Sequence, residues 1–404
     1  MIRGVKVRLY PTAEQEILFW KSCGLARFAY NWGLDYQKKN REQGGKYIPK
    51  GEMRKLFKKF RDENEDMNWI SECSSEIPDQ ALYDLDDAYN RFFNGTSKFP
   101  KFKKKFKSEF SFYHSSNKII VKDNLIRLEK IGWVKMNDEN RLIRGKYKGK
   151  DKAPNAKVYN PRIKYNGKYW YLSLGIDVDD ISNEEKTNTR LGIDVGLKEF
   201  ATCSDGKVYH NINKTKEIKR LTKKLKREQR KLSRQQRVNI DHYEKVQGKD
   251  HKEHLKPIWK KPLKDCKNIQ KQSIKIKRIH RRINNIRLNH QHQVSNSIVK
   301  AKPKAIVVED LNIQGMMKNR HLSRAVQDVS WYRFMIFLKY KSERNGIDFI
   351  KADRFYPSSK KCSKCGYIKK DLQLKDRVFK CSCCGNTIDR DFNASLNLAN
   401  YIEK

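Results

Sequence analysis

The sequence has few acidic residues and no long apolar segment, and each shortage excludes a class of protein. Of its 404 residues, 47 are Asp or Glu and 90 are Lys or Arg, so the formal net charge is +43. No apolar run approaches the roughly 18–20 residues of a membrane span, and the opening MIRGVKVRLYPT has no apolar signal-peptide core. A P-loop and a GxGxxG motif are also missing. We therefore expect a cytoplasmic protein that neither enters a membrane nor binds a nucleotide cofactor.

The basic excess predicts a polyanionic partner. Hydrophobic residues make up 37% of the chain and aromatic residues 11%, which is more than a disordered basic tail contains. A folded chain with this charge is typical of nucleic-acid-binding proteins, and an anionic membrane is a distant second choice.

The first 180 residues combine a β pattern with a helical pattern. Polar and apolar residues alternate at 3–10, as in a strand, and Thr12 with Gln15 resembles a capping box before a helix. Apolar residues at helical spacing predict a helical module over 13–97. Residues 98–180 return to a β pattern, so we expect them to form a small β-barrel or sheet.

Within this β region, Asn166-Gly167 predicts a two-residue hairpin turn. The segment KFPKFKKKFKSEFSFYHSS at 98–116 alternates aromatic residues with lysines. The aromatic rings either stack on bases beside phosphate-binding lysines or form the inner face of a strand, and both readings can hold together. Residues 179–188 are acidic and polar, which favours a linker.

Two basic helices follow in the second half of the chain. Residues 214–237 and 266–298 each carry a narrow apolar stripe among basic and polar residues. We predict that the stripes pair and leave basic outer faces for nucleic acid, as one hairpin over about 214–298. The stretch 238–265 between them is predicted to be a flexible insertion.

A repeated cysteine pattern indicates a zinc site. The segments CSKCG at 362–366 and CSCCG at 381–385 share the pattern CxxCG, and the glycine allows the backbone to turn toward the sulfurs. Four thiolates at this spacing suit a closed, structural Zn²⁺ site. The predicted ligands are Cys362, Cys365, Cys381 and Cys384, and Cys383 falls outside the pattern.

Three carboxylates lie in contexts where a charge is unexpected. Asp194 is within the strand pattern GIDVG, Glu309 ends the strand AIVVE, and Asp391 begins the last helix. Such acids need partners, and if they came together, divalent Mg²⁺ or Mn²⁺ would relieve their repulsion and could support phosphodiester hydrolysis. Each acid alone could equally be a surface carboxylate or a helix cap, and both Asp389 and Asp391 could cap the last helix.

The motifs around these acids resemble a known family. GIDVGLKEFA, VVEDLN and the cysteine segment running into DRDFNASLN are similar to the split RuvC-type nuclease of the TnpB family, and KVRLYPTAEQ, LARFAYNWGL, DAYNRFF, FPKFKKK, IGWVKM and SWYRFMIFLKYK match family landmarks in order. Members of this family accompany bacterial and archaeal insertion sequences. They resemble the miniature type V CRISPR effectors.

The resemblance implies an α+β multidomain fold. It implies a β-barrel wedge-type domain at 1–12 and 98–180 with the helical recognition module 13–97 inserted. It also implies an RNase H-like, RuvC-type α/β nuclease domain at 188–357 and 388–404, with a zinc ribbon at 358–387.

The resemblance also implies a function. Asp194, Glu309 and Asp391 fall on the family's catalytic, Mg²⁺-binding triad, and the four cysteines fall on its zinc ribbon. The implied activity is cleavage of double-stranded DNA beside a short protein-read motif, directed by a guide RNA transcribed from the element's own end.

Other functions remain as alternatives. The chain could be an RNA-guided repressor without cleavage, although its three acids are intact, or a type V CRISPR effector. It could also be an unguided basic nucleic-acid-binding or transposase-accessory protein. The sequence departs from the family at RLNHQHQ, 287–293, where Asn289 and Gln293 stand in a stretch that often holds an Asp before a His-Lys pair.

Candidates for contact with nucleic acid come from position alone. Gln80 and Tyr83 lie on a helix predicted at 80–93, where Gln can read adenine edges, but their pattern favours ordinary helix-surface residues over base contacts. The further candidates are Lys101, Lys103 and Arg390. Arg390 either contacts phosphate or pairs with an acid.

Overall fold

The chain forms two compact α+β units, Met1–Asp179 and Asp180–Lys404. A computed structural model of the chain describes residues 2–105, 108–137, 157–177, 186–247, 253–263, 265–373 and 375–402. Most of the predicted linker at 179–188 lies outside these residues. None of the described helices has the length and apolar character needed to span a membrane.

The first unit combines an antiparallel sheet with a helical module. Its helices are α1 (Ala13–Glu42), α2 (Lys50–Asp62) and α3 (Glu76–Phe93), with 3₁₀ turns at Glu65–Glu72 and Ser116–Lys118. Its strands are β1 (Ile2–Tyr10), β2 (Phe110–Tyr113), β3 (Ile120–Lys122), β4 (Leu125–Leu128), β5 (Gly132–Asn137), β6 (Val158–Tyr165) and β7 (Trp170–Asp177).

The sheet of this unit has the order β2-β6-β7-β1-β5-β4-β3. Strand β1 lies at its centre and pairs antiparallel with β7 and β5, although more than a hundred residues separate them in the chain. In the described residues β2 and β3 form the two edges, so the sheet is an open half-barrel and not a closed barrel.

The predicted hairpin turn is in the right place but has the wrong length. Tyr165 pairs with Trp170, which leaves a four-residue loop between β6 and β7. The Asn166 Oδ1 atom accepts hydrogen bonds from the amides of Lys168 (3.1 Å) and Tyr169 (2.9 Å), and Gly167 has a φ of 91°. The asparagine side chain therefore closes the wider loop in place of a two-residue turn.

Helix α1 packs across the sheet through aromatic contacts. The predicted capping box is confirmed, because Thr12 Oγ1 accepts from the amide of Gln15 and the Gln15 side chain accepts from the amide of Thr12. One turn later, the fully buried ring of Phe19 meets Phe112 and Trp170 edge to face, with centroids 5.7 and 4.9 Å away. This contact joins the helical module to the sheet.

The second unit is built on a mixed sheet. Its helices are α4 (Lys216–Val238), α5 (Lys267–Lys300), α6 (Ile313–Lys318), α7 (Ser323–Val329), α8 (Trp331–Arg344) and α9 (Arg390–Ala399), with a 3₁₀ turn at Ile212–Lys214. Its strands are β8 (Arg190–Asp194), β9 (Glu199–Cys203), β10 (Val208–His210), β11 (Ile240–Gln247), β12 (Glu253–Trp259), β13 (Ala305–Glu309), β14 (Asp348–Ala352), β15 (Val378–Lys380) and β16 (Thr387–Asp389).

The main sheet has the order β10-β9-β8-β13-β14, and β8, β13 and β14 run parallel. Alternate residues of β8 and β13 face opposite sides. Ile193 and Val308 join a buried cluster with residues of α5 and α8, whereas Val307 packs with Leu398 of α9. The parallel strands are thus covered on both faces.

The two basic helices pair as predicted. Their stripes form one buried cluster that includes Leu221 and Leu225 of α4 and Ile276 and Ile279 of α5. Among these apolar contacts, the almost fully buried Glu228 side chain accepts a hydrogen bond from Gln272 Nε2 at 2.9 Å. This polar pair adds a directional contact to the apolar stripe, and Arg282 of α5 also pairs with Glu217 of α4 at 2.9 Å.

The stretch between these helices differs from the prediction. Instead of a flexible insertion, β11 and β12 form an antiparallel hairpin. At its base, the backbone carbonyl of Asn239 accepts from the amide of Lys260 at 2.9 Å, and its Nδ2 donates to the carbonyl of Lys261 at 2.8 Å. These bonds close the hairpin where it leaves α4.

Gly192→Ala should destabilise the second unit. A Cβ at this position would overlap the carbonyl oxygen of Ser395 and the amide nitrogen of Ala399, both backbone atoms of α9. We expect a loss of about 3 kcal/mol, or roughly 6–10 °C in Tm for a unit of this size, measured by calorimetry. Gly4→Ala in β1 is the control, because a Cβ there meets nothing within 4 Å; equal losses in both variants would contradict the packing argument.

Candidate functional site

Two of the three predicted acids lie side by side at the carboxyl end of the parallel strands. Ile193 of β8 is in register with Val308 of β13, so Asp194 and Glu309 follow at the same level. Residues at matching positions of parallel neighbours point to the same face. Asp194 also shares its face with Gly192, which meets α9, so both carboxylates are directed to the side of the sheet that α9 covers.

The third acid, Asp391, lies in the first turn of α9. Because Gly192 lacks a Cβ, the backbone of α9 at Ser395 can lie directly against β8, and Asp391 lies one turn before Ser395. The choice between the two aspartates of DRD is now clear. Asp389 is the N-cap, since its Oδ1 accepts from the amides of Asp391 and Phe392 at 3.0 Å each. The side chain of Asp391 is therefore not used as the cap.

The three carboxylates influence one another electrostatically. Burial raises the pKa of Asp194 well above its usual range, and the charges of Glu309 and Asp391 raise it further against the opposing charge of Arg390. A desolvated acid beside two others stays ionised only if a cation compensates it. The donors are all carboxylate oxygens, which suit Mg²⁺ or Mn²⁺, so the residues present fit the predicted metal.

The acid next to Glu309 has other partners. Asp310 pairs with Arg354 at 2.6 Å and with Lys351 at 3.7 Å. Glu309 instead accepts a hydrogen bond at Oε1 from the hydroxyl of Ser358. Of the two acids in VVEDLN, Glu309 is therefore the one that faces the cluster.

The four predicted cysteines come together. Their Sγ atoms all lie within 4.8 Å of one another, so in the part of the chain that the structure describes they form a group that could hold a metal ion. The Sγ atoms of Cys362 and Cys384 are 3.7 Å apart, and those of Cys365 and Cys381 are 3.6 Å apart. Tetrahedral zinc with bonds of about 2.3 Å requires sulfurs roughly 3.8 Å apart, so this cluster has the size of a zinc site.

The two halves of the cysteine cluster have the same backbone structure. In each, the amide of the glycine donates to the carbonyl of the first cysteine, Gly366 to Cys362 (2.9 Å) and Gly385 to Cys381 (3.1 Å). Both glycines have positive φ, 78° and 68°. Burial raises the pKa of Cys362, but hydrogen bonds from the amides of Cys365 and Lys364, together with those from the side chains of Cys365 and Cys384, lower it to about 6. The backbone thus favours the thiolate that zinc needs.

Arg390 lies between the acids and the cysteine segment. Its Nη1 is 3.2 Å from the carbonyl oxygen of Asp376 and 3.4 Å from that of Gln373, and its charge lowers the pKa of Asp194. Both of these carbonyls belong to the region between the two CxxCG pairs. The side chain therefore joins that region to the acid cluster, and its contact with phosphate stays a prediction.

Gln80 and Tyr83, the candidates for nucleic-acid contact on α3, lie in half-buried positions. Gln80 Nε2 donates to Asp84 Oδ1 at 3.1 Å, and Asp84 in turn receives two hydrogen bonds from Arg162, at 2.8 and 2.7 Å. The Lys50 ammonium lies 5.0 Å from the Tyr83 ring centroid. Gln80 thus already has an intramolecular partner, and a role in base reading stays a prediction.

The two lysine candidates have different surroundings. Lys101 is exposed, as a phosphate contact requires. Lys103 lies 3.8 Å above the Tyr30 ring, burial lowers its pKa, and it lines a cavity of about 570 Å³ together with Arg27 and Arg91. The sequence analysis did not predict this cavity, which is lined by several basic side chains.

Helix α4 lines a wide groove of the second unit, which we call the α4 groove. Its volume is about 1420 Å³. Its lining is almost entirely basic or polar and consists of Arg220, Leu221, Lys223, Lys224, Lys226, Arg227, Gln229, Arg230, Ser233, Arg234, Arg237 and Arg282. A groove of this composition concentrates positive potential on one face, which suits a nucleic-acid backbone.

Sequence reasoning missed four residues that build the site. Gly192 admits α9, Ser358 bonds Glu309, and the buried side chains of Asn393 and Asn397 bond the segment before the first cysteine pair. The spacing of the two asparagines was a usable signal. They lie four residues apart on the apolar face of NASLNLA, where polar side chains need a partner.

Cys384→Ser should remove bound zinc, whereas Cys383→Ser should leave the zinc content unchanged. Cys384 belongs to the cluster, whereas the exposed Cys383 next to it does not. Replacing one thiolate of a four-thiolate site removes most of its affinity for zinc. We expect Cys384→Ser protein to lose its zinc and Cys383→Ser protein to keep it, as measured by elemental analysis. Loss in both variants, or in neither, would refute the ligand assignment.

Three family descriptions match separate parts of the chain. Residues 1–46 match the helix-turn-helix domain HTH_OrfB_IS605, residues 173–320 match OrfB_IS605, described as "Probable transposase", and residues 331–398 match the Cas12f1-like TNB domain. The last match spans α8, the cysteine cluster and Asp391.

Individual relatives match nearly the whole chain. "Putative RNA-guided DNA endonuclease InsQ" of Escherichia coli (strain K12) is 28% identical over 98% of this chain and 91% of its own length. A "Putative RNA-guided DNA endonuclease" of Streptomyces pristinaespiralis is 27% identical over 98% and 88%. A solved Cas12f1-sgRNA-target DNA complex is 16% identical over 99% of both chains, with a TM-score of 0.48. The three domain matches and the two bacterial relatives confirm the resemblance to the TnpB family that the sequence motifs indicate.

Proposed function

We propose that this protein is an RNA-guided, Mg²⁺-dependent endonuclease that cuts double-stranded DNA beside a short motif read by the protein. The observation that carries the proposal is the cluster of Asp194, Glu309 and Asp391 in a chain whose full-length relatives bear the name RNA-guided DNA endonuclease. In this proposal residues 188–357 and 388–404 form a RuvC-type, RNase H-like domain, and residues 358–387 form its inserted zinc ribbon.

The proposed mechanism uses the acids as ligands. The three carboxylates lie close enough for Glu309 and Asp391 to raise the pKa of Asp194, and together they would hold divalent metal. Bound divalent metal would supply activation of the attacking water and stabilisation of the leaving oxygen. Asp194 and Glu309 would bind the metal from adjacent strands, and Asp391 would bind it from the first turn of α9.

The basic surfaces are proposed to hold the nucleic acids. The α4 groove offers a row of Arg and Lys side chains at the spacing of an α-helix, which suits a phosphate backbone read without regard to sequence. The guide RNA, from the end of the element that encodes the protein, and the target DNA together supply the polyanion that a net charge of +43 requires.

Asp194→Asn should abolish cleavage but leave binding of RNA and DNA nearly unchanged. The substitution removes one metal-binding charge, and loss of metal assistance costs several kcal/mol, on the order of 10³-fold or more in rate. Asp205→Asn is the matched control, since Asp205 lies in the β9–β10 turn and pairs with Lys207. A plasmid-cleavage assay and a gel-shift assay measure the two properties. Cleavage by Asp194→Asn protein at the rate of the control would remove the acid from the mechanism, and failure of the unaltered protein to cleave while still binding would favour a guided repressor.

One dominant RNA should co-purify with Asp194→Asn protein expressed beside its native flanking DNA. The RNA is expected to have a constant structured part and an end that matches the DNA next to the gene. Sequencing of the bound RNA measures this, and the species found supplies the guide for the cleavage assay. A heterogeneous mixture of cellular RNA would contradict guided targeting and favour an unguided basic protein.

A further inference from the structure

Ser358 connects the acid cluster to the cysteine cluster. It is 2% exposed, and its hydroxyl donates a hydrogen bond to Oε1 of Glu309. This bond fixes the plane of the carboxylate and leaves Oε2 available for a metal. Ser358 lies only four residues before Cys362 in the chain, so one short segment contacts the acid cluster and leads into the cysteine cluster.

Buried asparagines of α9 hold this short segment in place. Asn397 Nδ2 donates to the carbonyl oxygens of Ser358 (2.7 Å) and Lys361 (2.6 Å). Asn393 Nδ2 donates to the carbonyl of Lys361 at 2.7 Å, and its Oδ1 accepts from the amide of Ser363 at 3.0 Å. The two asparagines are 0% and 3% exposed, so water does not compete for these bonds and their loss would leave buried polar groups without partners.

These hydrogen bonds connect the first predicted zinc ligand, Cys362, with the acids Asp391 and Glu309. Cys362 lies between Lys361 and Ser363, and Asn393 bonds both of these neighbours. Asn393 follows Asp391 by two residues on the same helix. A shift of Cys362 would therefore move the partners of α9 and, through Ser358, the hydrogen bond to Glu309.

We propose that Ser358 is a positioning residue for Glu309, and that zinc in the cysteine cluster fixes Ser358 and so raises the affinity of the acid cluster for Mg²⁺. This inference rests on the proposed function, because it takes the acids to be metal ligands. Hydrogen-bond partners that orient a ligating carboxylate are typically worth about 10–100-fold in metal affinity. Coupling between two binding sites is reciprocal, so metal at the acids also strengthens retention of zinc.

The test measures Mn²⁺ binding directly, by the electron paramagnetic resonance signal of free Mn²⁺ in the presence of the full chain. Ser358→Ala should weaken Mn²⁺ binding by about 10–100-fold with the zinc content unchanged, and Ser358→Thr, which keeps a hydroxyl, should restore much of the loss. Ser359→Ala is the matched control, because within the described residues the hydroxyl of Ser359 makes no hydrogen bond. Its affinity should equal that of the unaltered protein.

A second arm varies zinc in the unaltered protein. Protein freed of zinc by a chelator and then dialysed should bind Mn²⁺ more weakly, and stepwise return of zinc should restore the affinity in proportion to zinc bound. Asp194→Asn protein defines which part of the Mn²⁺ signal belongs to the acid cluster.

The outcomes separate the two proposals. If the unaltered, zinc-loaded protein shows no Mn²⁺ binding that depends on Asp194, the proposed nuclease function fails. If it shows such binding, but Ser358→Ala binds Mn²⁺ as tightly as Ser359→Ala, the positioning role alone is overturned. Loss of zinc from Ser358→Ala protein also overturns it, since the residue would then act only in folding the cysteine segment. If the affinity for Mn²⁺ is the same with and without bound zinc, the proposed coupling between the two sites is overturned.

Discussion

The second unit depends on a contact that only glycine permits. At Gly192 the backbone of α9 lies against β8 at a distance that leaves no room for a Cβ. The position of the third acid follows from this contact, because α9 carries Asp391 in its first turn and the two buried asparagines after it. The contact itself is stabilised by ordinary packing, with Leu398 of α9 against Val307 of β13. A helix held further from β8 would keep Asp391 away from Asp194 and Glu309.

The polar groups of α9 have separate tasks. Asp389 satisfies the free amides at the start of the helix, which leaves Asp391 for the cluster. Asn393 and Asn397 satisfy carbonyls and an amide of the segment that leads to Cys362. One short helix thus carries the cap, the acid and the anchors in successive turns, and this ordering ties the cysteine segment to the sheet although the segment has its own small core around Phe379.

Much of the fold and of the site could be predicted from the sequence, and the reasons differ between elements. The basic helices were predictable because the stripe containing Leu221 and Leu225 repeats at helical spacing, and the zinc cluster was predictable because its ligands are close in sequence. The hairpin at 240–259 was missed because its residues are mostly polar and exposed, so burial leaves no clear alternation; its register depends on backbone pairing and on Asn239. Ser358 was missed because a single hydroxyl has no periodicity, and its partner lies 49 residues away.

Charge acts on two different length scales in this molecule. The basic excess of +43 attracts a polyanion over tens of ångströms, but salt screens it beyond roughly 8–10 Å. At the acid cluster, burial and the charges of Glu309 and Asp391 raise the pKa of Asp194, although the charge of Arg390 lowers it. In the proposed function a divalent cation from solution compensates the carboxylates, and α9, held by Asn393 and Asn397, keeps Asp391 in place to bind it. A uniformly basic chain would bind nucleic acid equally well, but it would have no locally acidic pocket in which metal could act on the bound strand.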